Sequence, residues 1–199
     1  MTWFPSVRLA SVIEIVSTSD VSGITPNSST AQRLCLACGL CCDGALFKDV
    51  ELRPGDDAVR LRELGLPLEM RRGQARFPQP CAALGADCRC GIYADRPARC
   101  REFECALLRA VSAERLETTA ALRVIRAARQ RADRVRRLLR ALGDTDEQTA
   151  LSVRFRRVTK RFAAGAPDKA AAGRYSQLTL AMHGLNLLLR EKFHPDPGD

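Results

Sequence analysis

Four cysteines within eight residues, Cys35, Cys38, Cys41 and Cys42, are denser than side-chain packing requires. Five more follow at Cys81, Cys88, Cys90, Cys100 and Cys105. Thiols grouped in this way hold a metal, form disulfides or pass electrons. In Cys35-x-x-Cys38-x-x-Cys41 a spacing of three returns the chain about once per tight turn, so three sulfurs can converge on one centre. Cys42 adjoins Cys41, and neighbouring side chains point different ways. It therefore completes the shell by a local twist or serves a second centre.

Tetrahedral zinc wants four such ligands. An iron–sulfur cluster, 4Fe–4S for example, also takes four, and the C-x-x-C-x-x-C spacing is that of bacterial ferredoxins. The spacing is not the wider one associated with radical S-adenosylmethionine chemistry. Nor is it a nucleic-acid finger, because no C-x-x-C is followed by H-x-x-x-H, and the two histidines, His183 and His194, lie in the last helical region. The cysteine count is odd, and the first thirty residues carry no unbroken apolar core before a small-residue cleavage site. Both features point to a reducing, cytoplasmic compartment, where clustered thiols bind metal more often than they form disulfides.

The rest of the composition bounds what holds these sulfurs. The 199 residues are 46% hydrophobic and 5% aromatic, enough for a buried core and leaning helical. No stretch approaches the roughly 18–20 apolar residues of a membrane-spanning helix. The formal charge of +9 counts the cysteines as neutral. One Zn(II) held by four thiolates adds −2, and two such sites would bring the total to +5. No Gly-rich nucleotide loop or Ser/His/Asp set is apparent.

The elements that must position the thiols read as a mainly α chain: an irregular, cysteine-rich metal cage with short helices and little strand, followed by a helical hairpin or bundle. Residues 1–30 read as a disordered leader, 31–105 as the metal- or iron–sulfur-binding domain and 106–195 as a helical C-terminal subdomain. Gln32 to Gly44 reads as a tight loop wrapped on something, and Leu46 to Leu52 as a short strand. Arg53-Pro54-Gly55-Asp56 opens a short helix with Val59, Leu61 and Leu64 on its apolar side, ending at Gly65. Gln74 to Phe77 is at most a short strand. From Pro97, at a first helical position, Cys100, Phe103, Leu107 and Val111 fall on one helical face. A break is expected near Ser112 to Thr119. Leu122, Ile125, Ala128, Ala132, Val135, Leu138 and Leu142 then mark an amphipathic helix ending at Gly143. Asp144 with Glu147 suits an N-cap pair for a helix bearing Leu151, Phe155, Val158 and Phe162. After a break at Gly165 to Asp168, a last helix carries Tyr175, Leu178, Met182, Leu185, Leu189 and Phe193 and closes at Pro195. Short loops should make the last three helices antiparallel neighbours.

The second block reads C-R-C-G-I-Y-A-D-R-P-A-R-C-R-E-F-E-C from Cys88 to Cys105. With Cys35, Cys38, Cys41, Cys42 and Cys81 in front of it, the chain resembles the CxxCxxCC, or YkgJ-like, cysteine-cluster family, described as zinc- or iron-chelating. The matched positions are those five cysteines with Cys90, Ile92, Tyr93, Arg96, Pro97, Cys100, Arg101, Phe103 and Cys105. Ala82-Ala83 departs from the family's bulky pair, and Cys88 is additional. The resemblance covers about Gln32 to Cys105. It implies metal ligation by Cys35, Cys38, Cys41, Cys42, Cys81, Cys90, Cys100 and Cys105. The family includes flagellin lysine N-methylase-like proteins, so it also admits a protein-modifying enzyme. Physically, Tyr93, Arg96 and Arg101 would surround the cofactor, with arginine donors offsetting thiolate charge and tuning a redox potential.

Ala121 to Arg140 holds eight arginines against a single Asp133. Such a face is solvated surface or a dock for an acidic protein or nucleic acid, and it has no interleaved aromatics for single-strand stacking. The sequence thus supports a chelator of an iron–sulfur cluster or zinc with a structural or redox role. Its alternatives are a protein-modifying enzyme and a zinc-organised binding module with a basic helix.

Overall fold

A computed structural model describes residues 30–165 and 168–194; the leader expected over 1–30 and the closing Pro195 lie outside the described residues, save Thr30. The elements in order are α1 (Thr30–Cys38), β1 (Asp49–Glu51), α2 (Ala58–Glu63), β2 (Glu69–Arg71), β3 (Gln74–Pro78), α3 (Ala98–Glu102), α4 (Ala106–Ser112), α5 (Thr118–Ala141), α6 (Leu151–Ala164) and α7 (Lys169–Lys192). The protein is mostly α, irregular through its cysteine-rich half and long-helical after it. No helix among the described residues is long and apolar enough to cross a membrane.

Two hydrophobic cores organise these elements. The larger is built on α5, whose Ala121, Ile125, Ala128, Ala132, Val135 and Leu139 are buried against Leu178, Met182, Leu185 and Leu189 of α7 and Leu151 and Val158 of α6. Alanines at 121, 128 and 132 let the long helices approach closely, and leucines fill between them. Leu34, Leu40 and Ala45 of the first cysteine segment and Leu107 and Leu108 of α4 bury into this same core. The smaller core holds Val50, Leu52, Leu61, Leu66, Phe77 and Ile92. It lies under an antiparallel sheet of order β1-β3-β2, with Val50 opposite Phe77 and Met70 opposite Ala75.

Several expectations need correction. Gln32 to Gly44 is not all loop: α1 runs to Cys38, and only then does Gly39, at φ +68, turn the chain. Leu34 explains this, since helix places it inward on the bundle core. Val59 is 65% exposed, because a helix of six residues buries only Leu61. The face expected from Cys100 to Val111 is two helices, split where Phe103 and Cys105 are extended. Pro97 is the N-cap of α3 rather than its first helical residue. The strand β2 had no alternating pattern to announce it; Glu69, Met70 and Arg71 are all exposed. Asp144 and Glu147 do not cap α6, whose N-cap is Ala150. Asp144 is instead buried and paired with Arg154 at 2.8 Å and with Arg157 at 2.8 Å, while Glu147 meets Arg140. That buried pair joins the α5–α6 turn to α6.

Candidate metal centre

Cys35 and Cys38 sit three apart on α1, on one helical face, and Cys41 and Cys42 on the turn that follows. The turn is held by Cys42 N–H and Asp43 N–H donating to the Gly39 carbonyl at 2.9 and 3.0 Å. It is fastened to the helices by Arg136 of α5, which donates to Asp43 Oδ2 at 2.9 Å and to the Asp43 carbonyl at 3.2 Å. Cys42 also faces the second block: its carbonyl accepts from Cys81 N–H at 2.7 Å. Gly44, at φ +78, passes so close to the α6 start and to Pro80 that a β-carbon there would lie 3.0 Å from Ala150 Cα.

In the second block Leu84 bridges Cys90, and Gly91 N–H donates to the Ala83 carbonyl at 2.7 Å, closing a small loop that presents Cys81 and Cys90 together. Cys100 is carried on α3. Cys105 sits at the start of α4, where its sulfur caps the helix by accepting from Leu108 N–H at 3.4 Å. All nine cysteines are free thiols.

Packing divides the sulfurs into two sets. Cys38 and Cys105 pack against the bundle core, whereas Cys81, Cys90 and Cys100 pack against the core under the sheet. Electrostatics groups most of the thiols in a similar way, with Cys41 coupled to both sides. Burial pushes the Cys38 thiol up to about 12, and Cys105 and Cys35 add to the rise. Cys41 is raised well above its ordinary value by burial, with Cys38, Cys42, Cys105 and Cys35 contributing. Cys42 is pushed up to about 12 by burial and then by Cys81, Cys100 and Cys90. Cys100 is raised to about 11 by burial, followed by Cys81 and Cys90. Two neighbourhoods of sulfurs follow, one around Cys38 with Cys35, Cys41 and Cys105 and one around Cys42 with Cys81, Cys90 and Cys100. They meet at the Cys41–Cys42 peptide.

As the side chains stand, no three or more His, Cys, Asp or Glu among the described residues form a group that could hold a metal ion. The donor chemistry nonetheless fits a thiophilic cation or cluster. Partly buried thiols that repel one another as thiolates are poor anions alone, and a cation among them reverses that preference. Each quartet has the four sulfurs that zinc or an iron–sulfur cluster takes.

Arg96 acts on both quartets, lowering Cys35 in one and Cys100 in the other. Its guanidinium lies 3.6 Å from the Tyr93 ring centre, and its Nε donates to the Tyr93 carbonyl at 3.0 Å. Arg101 is exposed and donates to the Arg96 carbonyl, so it bears on the centre through Arg96. Cys88 stands apart in the packing but lies over the first turn: a β-carbon on Gly39 would come 3.0 Å from Cys88 Cβ. Asp43, which raises Cys38 and Cys42, and Arg109, which lowers Cys105, went unnoticed in the sequence. For Asp43 the signal was its place directly after Cys42. His183 is exposed on α7, and the His194 ring faces Phe47 at 6.5 Å.

No curated protein and no solved structure matches the chain. One family model matches, over residues 34–125, a span that takes in eight of these sulfurs' carriers from Cys35 to Cys105 together with Cys88. It is the CxxCxxCC family, described as "Putative zinc- or iron-chelating domain", and residues 34–125 are similar to it.

Proposed function

We propose that the protein is a chelator with two tetrathiolate sites, one formed by Cys35, Cys38, Cys41 and Cys105 and the other by Cys42, Cys81, Cys90 and Cys100. What supports this reading is that Cys38 and Cys105 pack against the bundle core and Cys81, Cys90 and Cys100 against the core under the sheet, while Cys38 is raised by Cys105 and Cys35 and Cys42 by Cys81, Cys100 and Cys90. We assign iron–sulfur clusters in preference to zinc, because Cys35, Cys38 and Cys41 keep the ferredoxin spacing while their fourth partner comes from afar. Such a cluster would supply one-electron transfer and a structural cross-link. The chain's own residues would do the rest. Arg96, stacked on Tyr93 and braced by Arg101, offsets thiolate charge at both sites. Cys105 spends its lone pairs on the α4 N-terminus as well, which fixes the sulfur's direction.

The test is metal and sulfide analysis of protein purified without air. Two 4Fe–4S clusters predict a brown protein with about eight iron and eight sulfide per chain, following the four-cysteine ligation of such clusters. Colourless protein with about two zinc per chain would replace clusters by structural zinc and keep the two sites. Protein free of both would overturn chelation.

A further inference from the structure

The helix α5 carries Arg123, Arg126, Arg134 and Arg137 on the side opposite its buried stripe. At 100° per residue these four fall within about 80° of one another, with Gln130 between them. All four are exposed, and none takes part in an ion pair among the described residues. The flanks of the helix are occupied. On one side Arg129 donates to the Ala37 carbonyl and Arg136 to Asp43; on the other Arg131 donates to the Gly184 carbonyl. The acidic residue of the helix, Asp133, is held by Arg136 at 2.8 Å. What remains open is a line of unneutralised guanidinium groups on a rigid scaffold. This surface lies outside the thiol sites and does not depend on what they hold.

We infer that this line binds duplex DNA through its phosphate backbones. At 1.5 Å per residue, Arg126 and Arg134 are about 12 Å apart along the axis, which matches the roughly 12 Å width of the B-DNA major groove. The pairs Arg123–Arg126 and Arg134–Arg137 can then sit on the two strands that border the groove, with Gln130 over the gap. A protein partner fits less well. Stable protein interfaces have an apolar centre, yet the large exposed hydrophobic residues, Val59, Met70, Leu180 and Leu187, all lie elsewhere. Single strands would want aromatic platforms, and the line has none. Duplex RNA has a deep, narrow major groove that does not offer this span.

The experiment is fluorescence anisotropy of a labelled 24-base-pair DNA of arbitrary sequence with the full metal-loaded chain, between 50 and 200 mM KCl. Four neutralised phosphates predict a log–log slope of about −3.6 and a fall in affinity of about 150-fold over that range. Arg126→Gln with Arg134→Gln should bring the slope to about −1.8, while Arg126→Lys with Arg134→Lys should keep it. Arg156→Gln with Lys160→Gln, on α6, should leave it unchanged. The inference fails if the slope is near zero, or if the α5 and α6 glutamine variants lower it equally. It also fails if duplex RNA, or polyglutamate of equal charge, binds as tightly as the DNA.

Discussion

Serine at position 41 and serine at position 42 change one atom in adjacent residues, yet the two variants should empty different centres. Wild-type protein should hold two equivalents, Cys41→Ser and Cys42→Ser one each, and the double variant none. The centres also lean on cores of different size. Cys81, Cys90 and Cys100 of the Cys42 quartet pack against the six buried residues under the sheet, whereas Cys38 and Cys105 of the Cys41 quartet pack against the eighteen buried residues of the bundle. Loss of the Cys42 centre should therefore loosen the sheet and leave the bundle standing. A ligand present at 1,000 times its dissociation constant stabilises what it binds by about 4 kcal/mol. Amide exchange along β3 should thus quicken by about 1,000-fold in Cys42→Ser and change by only a few-fold in Cys41→Ser. Hydrogen exchange read by mass spectrometry, alongside metal analysis of the same samples, measures both. The reasoning is refuted if either variant loses all the metal, or if β3 is deprotected by Cys41→Ser and not by Cys42→Ser.

Other perturbations test the supports around the thiols. Asp144→Ala leaves the buried Arg154 guanidinium without its carboxylate and should cost about 3–5 kcal/mol, seen in urea unfolding of the loaded protein. Gly44→Ala combines a left-handed backbone with a β-carbon 3.0 Å from Ala150 Cα; a loss of about 2–5 kcal/mol is expected in the same assay. Arg96→Met removes the cation shared by both quartets and should move both cluster potentials in the negative direction under redox titration. Asp146 is drawn below its ordinary range by the Thr149 hydroxyl and then by Arg157. Its small stabilising effect is present above the unfolded carboxylate range and fades as the pH falls through the lowered folded value. An Asp146→Asn protein should differ from wild type at neutral pH and converge with it in acid.

The long helices were legible because their burial has a period that survives in the sequence. Ile125, Ala128, Ala132 and Val135 repeat at threes and fours, and all four are buried. The stripe was read slightly off-axis, since Leu139 is buried where Leu138 was expected and Ala121 where Leu122 was; alanine carries too little hydrophobic signal to fix a face. The eight motif cysteines stand out in the sequence by their spacing. The division we propose for them was not legible, because Cys41 and Cys42 are indistinguishable by spacing and differ only in which distant thiols surround them in the fold. The split between α3 and α4 was hidden for a related reason: a thiol took the capping place that Ser, Thr, Asp or Asn usually announces. Asp144 looked like a cap and is a buried anchor, a role set by Arg154 ten residues away.

The order of the sulfurs along the chain has a kinetic consequence. The ligands assigned to the second site, residues 42 to 100, are enclosed between Cys41 and Cys105 of the first, as one parenthesis inside another. Closing Cys105 onto Cys41 in a free chain spans 64 residues. Once the inner pair 42–100 is joined, the remaining path is only six steps, and the entropic penalty of closure drops by about 2 kcal/mol. Filling the inner site would raise affinity at the outer one about thirty-fold, so assembly should run inside-out, and half-filled protein should be scarce.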